Sequence, residues 1–383
     1  MSRFSKIKIQ GFRRLRNVAL DLGPLNVLIG ANGAGKSTFL DSFRLLAASA
    51  SGGLSAHLSA MRGLHEQISY GGARELRMEL EMQRDAKPAP LYYSLVLESL
   101  GTGYRVSDER LAESRNSEQP PFQHITSHDG NIKYFSPEVK ALIAPSWEHD
   151  HYETSLHQVP KVFPDADNFR KRLASCELFH HLDIGRQAPV RLPQAMQPAV
   201  LPGINGEYLV SCLYALREVD ADRFEIIEDT LRAGFPGFQK LGFPPVAAGT
   251  LAMTWHDSHF RDPIYTHQLS EGTLRFLWLL TLLQSQSLPT VTLIDEPEIS
   301  LHPQLLGLFA DLLRDAARRT QLIVATHSER LVSFLNPSEV VVCGLGDDGF
   351  ANLTPAAALD LEGWMKDFSL DELWRMGKVE VQQ

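Results

Sequence analysis

The sequence predicts an α/β fold with a phosphate-loop core sheet, an antiparallel β arm and a helical insertion. Three observations carry that prediction. The stretch LNVLIGANGAGKSTFL at 25–40 runs from an apolar strand into glycines, a lysine and two hydroxyls. The stretch VTLIDEPEISLHP at 291–303 begins with a second apolar strand, and two carboxylates follow directly after it. Residues 75–112 alternate apolar and polar side chains in three runs, which is typical of antiparallel strands.

Composition places the chain among globular proteins. Its 383 residues are 44% hydrophobic, enough for one large domain or two. Cys176, Cys212 and Cys343 lie far apart without C-x-x-C spacing, which indicates neither a disulfide framework nor a cysteine zinc site. No run reaches the roughly 20 apolar residues that cross a bilayer, and the N-terminus does not resemble a signal peptide. We therefore expect a cytoplasmic protein with no membrane partner.

The charge is uneven along the chain. The formal net charge is -9, yet the first fifty residues hold eight Lys or Arg against Asp21 and Asp41. A local basic strip of this kind can meet an anionic polymer such as duplex DNA. Ordinary solvated charges, together with a phosphate-binding lysine, explain the excess equally well.

The glycine-rich stretch predicts a nucleotide phosphate site. The spacing Gly30-x4-Gly35-Lys36-Ser37 is the phosphate-loop pattern, set between a strand at 25–29 and an amphipathic helix at 38–48. Bare glycines let backbone N–H groups turn toward an anion at the positive end of a helix. Lys36 would reach the outer phosphates of ATP and Ser37 would ligate Mg²⁺. The predicted nucleotide contacts are Asn32, Gly33, Ala34, Gly35, Lys36, Ser37 and Thr38.

Two later strands supply candidates for the chemistry. A buried strand at 291–294 ends in two carboxylates, of which Asp295 would hold Mg²⁺ and Glu296 would polarise the attacking water. A third strand at 321–325 closes on His327, which can sense or stabilise a γ-phosphate. The stretch QLSEGTLRFLWLL at 268–280 adds a predicted helix cap at Ser270 and a further outward-facing helix start.

In this order the motifs resemble the ABC-type ATPase superfamily, and most closely its non-transporter branch of RecF-like, SMC-like and OLD-like heads. GANGAGKST resembles the Walker A loop, LSEGT the signature motif, LIDEPEISLHP the Walker B strand with the D-loop, and ATHS the switch histidine. The resemblance implies a homodimer that holds two ATP between its faces. It implies that Lys36, Ser37, Asp295, Glu296 and His327 act in cis, and Ser270 and Gly272 in trans.

The opening stretch IKIQGFRRLRNVAL at 7–20 resembles the first strand pair of that branch, in which a Phe-Arg turn approaches the nucleotide. This resemblance implies that Arg13 contacts the nucleotide. For the glutamine on the family's flexible loop, Gln67 in LHEQISYGG is the candidate.

Two rival branches fit less well. A transporter ATPase subunit would use a shorter spacing than the 234 residues between Lys36 and Ser270, and a glycine where Glu271 stands. A long-armed chromosome-organising or repair protein would show sustained heptads or a C-x-x-C hook, and residues 113–260 show neither. The sequence predicts four segments: an N-terminal core part with the β arm (1–112), an insertion (113–240), a C-terminal core part (241–345) and a tail (346–383). Within the insertion we expect two helices, at 207–217 and 220–233.

Three further stretches carry weaker predictions. WEHDHYE at 147–153, with His180 and His181, could bind zinc if the fold converges these side chains, but a solvated loop is the default. FHHLDIGRQAPVRLPQ and the tail FSLDELWRMGK at 368–378 resemble a small group of uncharacterised bacterial ATPases of this branch. OLD-like proteins carry a nuclease domain after the ATPase, but only 56 residues follow His327 here. We expect these residues to form a strand at 339–342 and a helix near 359–368, so any DNA cleavage would come from a separate protein.

Three functions follow in order. The first is an ATPase linked to DNA, in repair or in defence against mobile elements or phage. The second is a regulatory partner whose ATP occupancy holds or releases an effector protein such as a nuclease or toxin. The third is a transporter motor, which requires a membrane partner. DNA-stimulated turnover separates the first two.

Overall fold

The computed structural model describes residues 2–69, 73–85, 89–113 and 120–359 of the chain. It contains two compact units: residues 1–177 with 337–383 form unit one, and residues 178–336 form unit two. The predicted segments follow motifs along the chain and not compact units, so their boundaries stay a prediction. The C-terminal helix and tail predicted beyond residue 359 lie outside the described residues.

Unit one contains the N-terminal strands, three helices and the last two strands of the described chain. Before residue 178 its elements are β1 (Arg3–Phe12), β2 (Leu15–Asp21), β3 (Leu25–Ile29), α1 (Lys36–Ser51), α2 (Leu54–Ala60), β4 (Glu75–Gln83), β5 (Leu91–Leu100), β6 (Gly103–Glu113), β7 (Phe122–His128), β8 (Asn131–Ser136), β9 (Ala141–Ile143) and α3 (Pro164–Ala174). A short strand, β10 (Cys176–Phe179), spans the boundary between the units.

Unit two is mainly helical, with short strands. Its elements are β11 (Gln194–Ala195), α4 (Leu209–Val219), α5 (Ala221–Gly234), β12 (Phe238–Gly242), β13 (Thr250–Leu251), β14 (Thr254–Asp257), β15 (Ile264–Tyr265), α6 (Glu271–Gln284), β16 (Val291–Asp295), α7 (Leu305–Ala316), β17 (Gln321–Thr326) and α8 (Glu329–Val332). The chain then returns to unit one with β18 (Val340–Leu345) and β19 (Ala351–Pro355).

An eight-stranded sheet dominates unit one. Every neighbouring pair is antiparallel, in the order β2-β1-β4-β5-β6-β7-β8-β9. In β4, Leu76, Met78 and Leu80 alternate with charged residues and point into the core, because successive side chains of a strand face opposite sides. These strands confirm the predicted β arm at 75–112. Strands β7, β8 and β9 extend it into a region in which the sequence analysis predicted no strand.

Helix α3 covers the buried face of this sheet. Phe169 of α3 is fully buried, with its ring centroid 5.9 Å from that of Phe4 on β1 and 5.3 Å from that of Tyr93 on β5. Truncating a buried phenylalanine of this kind to alanine costs about 3–5 kcal/mol of stability. Strand β1, the arm and α3 therefore share one core.

A second group of strands in unit one carries the glycine-rich loop. Strand β3 pairs in parallel with β18, and β18 pairs antiparallel with β19. All five residues of β3 are buried, which explains why four of them are apolar; the exception, Asn26, bonds the backbone of Gly23. The predicted strand at 25–29 is confirmed with the same bounds, and the one predicted at 339–342 is Val340–Leu345. The helix predicted at 38–48 is α1, which begins two residues earlier.

A buried carboxylate fastens the segment after β9 to the arm. Glu109 of β6 is fully buried and accepts hydrogen bonds from Tyr93 Oη (2.9 Å), Ser155 N (2.6 Å) and Leu156 N (2.9 Å). Thr154 Oγ1 donates to the carbonyl of Ser49 on α1 at 2.6 Å. Burial raises the pKa of Glu109, although these hydrogen bonds oppose the shift. Residues 154–156 therefore join the arm to the helix that follows the phosphate loop.

Unit two is built around α6. Every residue of this helix from Leu274 to Gln284 is buried, and α4, α5 and α7 pack on it. A helix that is apolar on all sides is the kind that lies inside a core. Helices α4 and α5 confirm the two predicted helices, each within two residues of its predicted start. No helix in the described residues combines the length and apolar composition needed to cross a membrane.

Candidate functional site

The phosphate loop of unit one joins β3 to α1. Gly35 caps the helix with φ +99°, a conformation that costs glycine little and other residues more. Helix α1 has no side-chain cap at this end and no acidic residue in its first turn. Its positive end is therefore not neutralised by its own side chains, which fits an anionic ligand.

Lys36 and Gly30 shape this loop. Lys36 is 4% exposed, and its Nζ donates to the carbonyls of Gly30 (2.8 Å) and Ala31 (3.1 Å), so the loop curls around the ammonium group. A Cβ on Gly30 would lie 2.1 Å from the carbonyl oxygen of Cys343 on β18, so only glycine fits there. The hydroxyl-bearing Ser37 is exposed. An ammonium, a free hydroxyl and a bare helix start are the groups that hold a triphosphate with Mg²⁺.

Arg13 lies at a strained turn between β1 and β2, with φ +46°. Its guanidinium forms an ion pair with Asp41 of α1 (2.7 Å) and donates from Nε to Gln67 Oε1 (2.6 Å). Gln67 is buried and donates from Nε2 to the carbonyl of Met61 at 2.5 Å. The two candidates from the sequence therefore contact each other, and Arg13 also contacts α1. The contact of Arg13 with a nucleotide stays a prediction.

Several basic residues of the N-terminal region form ion pairs with carboxylates. Lys6 lies 3.3 Å from Asp21, and Lys8 lies 3.8 Å from Glu79. Arg16 and Arg44 likewise form ion pairs with Asp348 and Asp41. Ion pairs thus offset part of the local charge excess, and two of them use carboxylates from elsewhere in the chain, Glu79 and Asp348.

The predicted carboxylates of unit two stand at the end of β16. Strand β16 pairs in parallel with β17 in the register Asp295 to Ala325, so the residues that follow both strands share one edge. Glu296 Oε1 lies 3.5 Å from Nε2 of His327. The structure therefore brings together the predicted water-activating carboxylate and the predicted switch histidine.

Backbone geometry at this edge is unusual. Glu296 has φ +50°, which a residue with a side chain adopts at a cost of about 1–3 kcal/mol. Its N–H donates to the carbonyl of Ala325 at 2.8 Å. The N–H of His327 donates to Oε1 of Glu298 at 2.8 Å. Backbone strain that the surroundings hold in place is typical of functional sites.

Two further residues at this edge were not predicted as part of the carboxylate site. Asp295 is 5% exposed, and its Oδ2 lies 3.3 Å from Nδ1 of His180 at the end of β10. Arg275 of α6 donates to the carbonyls of Glu296 (3.0 Å) and His180 (3.2 Å). The sequence singled out His180 only as a possible zinc ligand. For Arg275 the only signal was a charge inside an apolar helix.

The predicted signature segment begins α6. As predicted, Ser270 caps this helix, with its Oγ accepting from Thr273 N at 3.1 Å, and its side chain is exposed. A Cβ on Gly272 would lie 2.3 Å from the carbonyl oxygen of Ser300, so this glycine lets the segment after Glu296 approach α6. Arg191 NH1 donates to the carbonyls of His267 (3.3 Å) and Leu269 (2.9 Å), directly before Ser270.

The predicted zinc residues have other contacts. His149 bonds the hydroxyl of Tyr134 (3.1 Å), and Glu153 accepts from the first backbone N–H groups of α2. Within the described residues, Glu113, His124 and Asp165 have ligand atoms close enough together for a metal. Arg84 forms ion pairs with both of these carboxylates, so the group has the character of a salt-bridge network.

Comparisons with known proteins agree on the fold. Residues 25–333 match a family model described as "AAA domain, putative AbiEii toxin, Type IV TA system". A search of curated proteins found no match.

The solved structures that resemble the chain include SMC heads. A SmcHead bound to the C-winged helix domain of ScpA has a TM-score of 0.54 at 16% identity, over 92% of this chain and 97% of that one. An Smc head domain from Pyrococcus furiosus, bound to the C-terminal domain of ScpA, has a TM-score of 0.52 at 16% identity, over 96% and 98%. One from Pyrococcus yayanosii has a TM-score of 0.50 at 13% identity, over 98% and 100%. These likenesses show the fold alone, and they confirm the predicted α/β head of ABC type.

Proposed function

Because the chain belongs to the family described as "AAA domain, putative AbiEii toxin, Type IV TA system", we propose that it binds ATP with Mg²⁺ and hydrolyses the γ-phosphate. One observation carries the hydrolytic part of this proposal. The carboxylate of Glu296, in a strained backbone conformation, lies 3.5 Å from the imidazole of His327. Family membership supports a nucleotide-binding head, and this pair adds a candidate base with a neighbouring proton-carrying group.

Each predicted residue has a role in this proposal. Lys36 and the backbone N–H groups of residues 32–38 hold the phosphates, while Ser37 and Asp295 hold Mg²⁺. When bound, Mg²⁺ supplies positive charge to the phosphate oxygens. Glu296 orients a water for in-line attack and takes its proton, and His327 stabilises the γ-phosphate or reports its presence. Arg13 contacts the nucleotide from its position beside α1.

We propose that the active form is a homodimer with two ATP between the heads. Ser270 supports this arrangement, because its hydroxyl is exposed at the start of a helix whose first N–H groups can face a phosphate. Ser270 and Gly272 would then contact the nucleotide that the other chain holds. The site would be incomplete in a single chain.

Two variants test this function. Glu296→Gln should bind ATP, lose turnover by about 100-fold or more, and accumulate as a dimer with ATP, since removing a general base costs roughly 10²–10⁴ in rate. Light scattering with saturating ATP measures the mass, and a monomer under these conditions would contradict the dimer. Ser270→Arg should bind ATP as tightly as the wild type but not hydrolyse it. Normal turnover in that variant would mean that one chain holds a complete site.

For the biological role, the proposal keeps two candidates. The first is an ATPase linked to DNA in repair or in defence against mobile elements or phage. The second is a nucleotide-controlled partner of a separate effector, and two observations favour it. The family description names a toxin and a toxin–antitoxin system, and several of the N-terminal basic residues form ion pairs that offset part of the charge of this region. The cytoplasmic location stays a prediction from the sequence.

Linear duplex DNA separates these two roles. Turnover that rises several-fold when DNA is added would favour the first role. Turnover that DNA does not change, together with ATP-dependent capture of the product of a neighbouring gene, would favour the second. Lowering the salt concentration provides a control, because phosphate contacts strengthen as salt falls.

A further inference from the structure

Arg275 joins the helix that begins at Ser270 to the backbone of Glu296. It lies in the second turn of α6 and is 4% exposed. Its NH2 donates to the carbonyl of Glu296 at 3.0 Å and to the carbonyl of His180 at 3.2 Å. One side chain of α6 therefore contacts both backbone segments that border Asp295 and Glu296.

Burying the guanidinium of Arg275 costs folding free energy. Burial lowers the pKa of Arg275, and the nearby carboxylates of Glu298 and Glu296 only partly oppose this shift. Its Nε is also buried and has no hydrogen-bond acceptor within the described part of the chain. A buried cation with an unsatisfied donor stabilises a fold less than an apolar side chain of similar volume. Stability alone therefore does not explain an arginine here.

The backbone that Arg275 contacts, at Glu296, is strained. The carbonyl of Glu296 accepts from Ile299 N (3.3 Å) and from Arg275, while its N–H donates to Ala325. These bonds fix the peptide on both sides of a residue with φ +50°. Because the side chain of Glu296 leaves this backbone at a fixed angle, a shift of its carbonyl changes where the carboxylate points.

Helix α6 can transmit such a shift. Arg275 lies five residues after Ser270, about 7.5 Å along the helix axis. Ser270 is bonded to the first turn of this helix, because its carbonyl accepts from Leu274 N at 3.0 Å and its Oγ accepts from Thr273 N at 3.1 Å. A displacement of Ser270 would therefore pass through this turn to Arg275 and to the carbonyl of Glu296.

We propose that Arg275 is a positioning residue that couples the Ser270 end of α6 to the carboxylate of Glu296. This inference rests on the proposed function, in which Ser270 contacts the nucleotide of the partner. When Ser270 contacts the partner's nucleotide, α6 shifts to its active position. Arg275 then holds the peptide of Glu296 so that the carboxylate points toward the attacking water. A head without its partner lacks this alignment, which links hydrolysis to dimerisation.

The test compares Arg275→Met with a matched control, Arg319→Met, at a residue after α7 that contacts the other end of α6. Arg319 is also a partly buried arginine whose pKa burial lowers, and it donates to the carbonyls of Leu283 and Ser285 (2.8 Å to Ser285) at the other end of α6. Arg319→Met removes a guanidinium that contacts the C-terminal end of α6, about 20 Å along the helix axis from Ser270. Because Arg319 also forms an ion pair with Asp315, Arg319→Met should lower thermal stability; it should leave turnover per folded chain within about 3-fold.

For Arg275→Met we expect the reverse pattern. Its melting temperature should stay equal to that of the wild type or rise, because an apolar side chain replaces a buried charge. Its kcat should fall on the order of 100-fold with an unchanged KM for ATP, since displacing a catalytic group by about 1 Å costs that much. Turnover per chain should also stop rising with protein concentration, while ATP-dependent dimerisation, measured by light scattering, persists.

Several results would overturn the inference. Normal kcat in Arg275→Met would do so, as would an equal loss of kcat in both variants or a loss of ATP-dependent dimers. If Arg275→Met does not fold, Arg275→Lys decides: it keeps the charge with a single donor group, and we expect about 10-fold lower kcat with intact dimers. If the wild type itself shows no ATP hydrolysis, the proposed function fails, and that outcome is distinct from failure of the coupling.

Discussion

Gly272→Ala should slow ATP turnover on the order of 100-fold without weakening ATP binding. Gly272 is the second residue of α6, and a Cβ there would lie 2.3 Å from the carbonyl oxygen of Ser300. This distance is about 1 Å shorter than an ordinary carbon–oxygen contact. Because the obstacle is backbone and not a flexible side chain, α6 and the segment at Ser300 must move apart.

That separation acts on the carboxylate. Ser300 has φ +62° and lies four residues after Glu296, so a shift of this segment reaches the strained peptide directly. A displacement of about 1 Å at a reacting group can cost 100-fold in rate. In the proposed function ATP binding depends chiefly on the loop around Lys36, so KM should stay within about 2-fold of the wild type.

Gly307→Ala is the matched control. Gly307 lies in α7, where an added Cβ would meet a ring carbon of the half-buried Phe334 at 3.3 Å, so a shift of this side chain by a few tenths of an ångström would make room. Alanine there should stabilise the helix by about 0.5–1 kcal/mol. Steady-state turnover and ATP titration on the wild type and both variants complete the assay. A Gly272→Ala protein as fast as the wild type, or two variants equally slow, would refute the reasoning.

Three other predictions concern unit one. Gly30→Ala should destabilise the fold by about 1–3 kcal/mol or more, measured by urea unfolding, because its Cβ would lie 2.1 Å from the carbonyl of Cys343; an unchanged midpoint would contradict this packing. For Glu109, the raised pKa means that the native state keeps a proton that the unfolded chain releases, so its contribution to stability is lost as pH rises from the ordinary carboxyl pKa of about 4.5. The unfolding free energy of the wild type, relative to that of Glu109→Gln, should therefore fall as pH rises. A wild type that becomes more stable than the variant with rising pH would contradict this reasoning. Burial raises the pKa of Cys343 to about 12 and that of Cys212 to about 11, so both should react with a thiol reagent only after unfolding; rapid labelling of the native protein would disagree.

The sequence predicted best where local chemistry decides the structure. Strand β3 matches its predicted bounds, because an apolar run that stops at a glycine-rich loop leaves little choice of ends. The cap at Ser270 and the two helices after residue 206 follow from capping and helical periodicity. The pairing of Glu296 with His327 follows from two motifs at the ends of parallel strands.

What the sequence did not predict depends on contacts between distant residues. Strands β7 to β9 carry many polar residues and form because they extend an existing sheet. Glu109 is an ordinary charge in an alternating strand until the fold brings residues 154–156 over it. His180 lies 115 positions before Asp295, so no local pattern links the two.

The reason for a glycine was also hidden from the sequence. The motif indicates that Gly30 and Gly272 serve phosphate binding. In the structure each is a point of close backbone approach, to Cys343 and to Ser300 respectively. A pattern of residue types reports that a small residue is required, and only the fold shows what lies against it.

The proposed composite site is tested most directly by steady-state ATP hydrolysis measured against protein concentration. If two chains complete each site, hydrolysis per chain should rise with concentration and level off once the dimer is saturated. ATP hydrolysis per chain by Ser270→Arg should remain low at every protein concentration. Hydrolysis per chain that stays constant from the lowest concentration upward, in a protein that light scattering shows to be monomeric with ATP, would contradict the account.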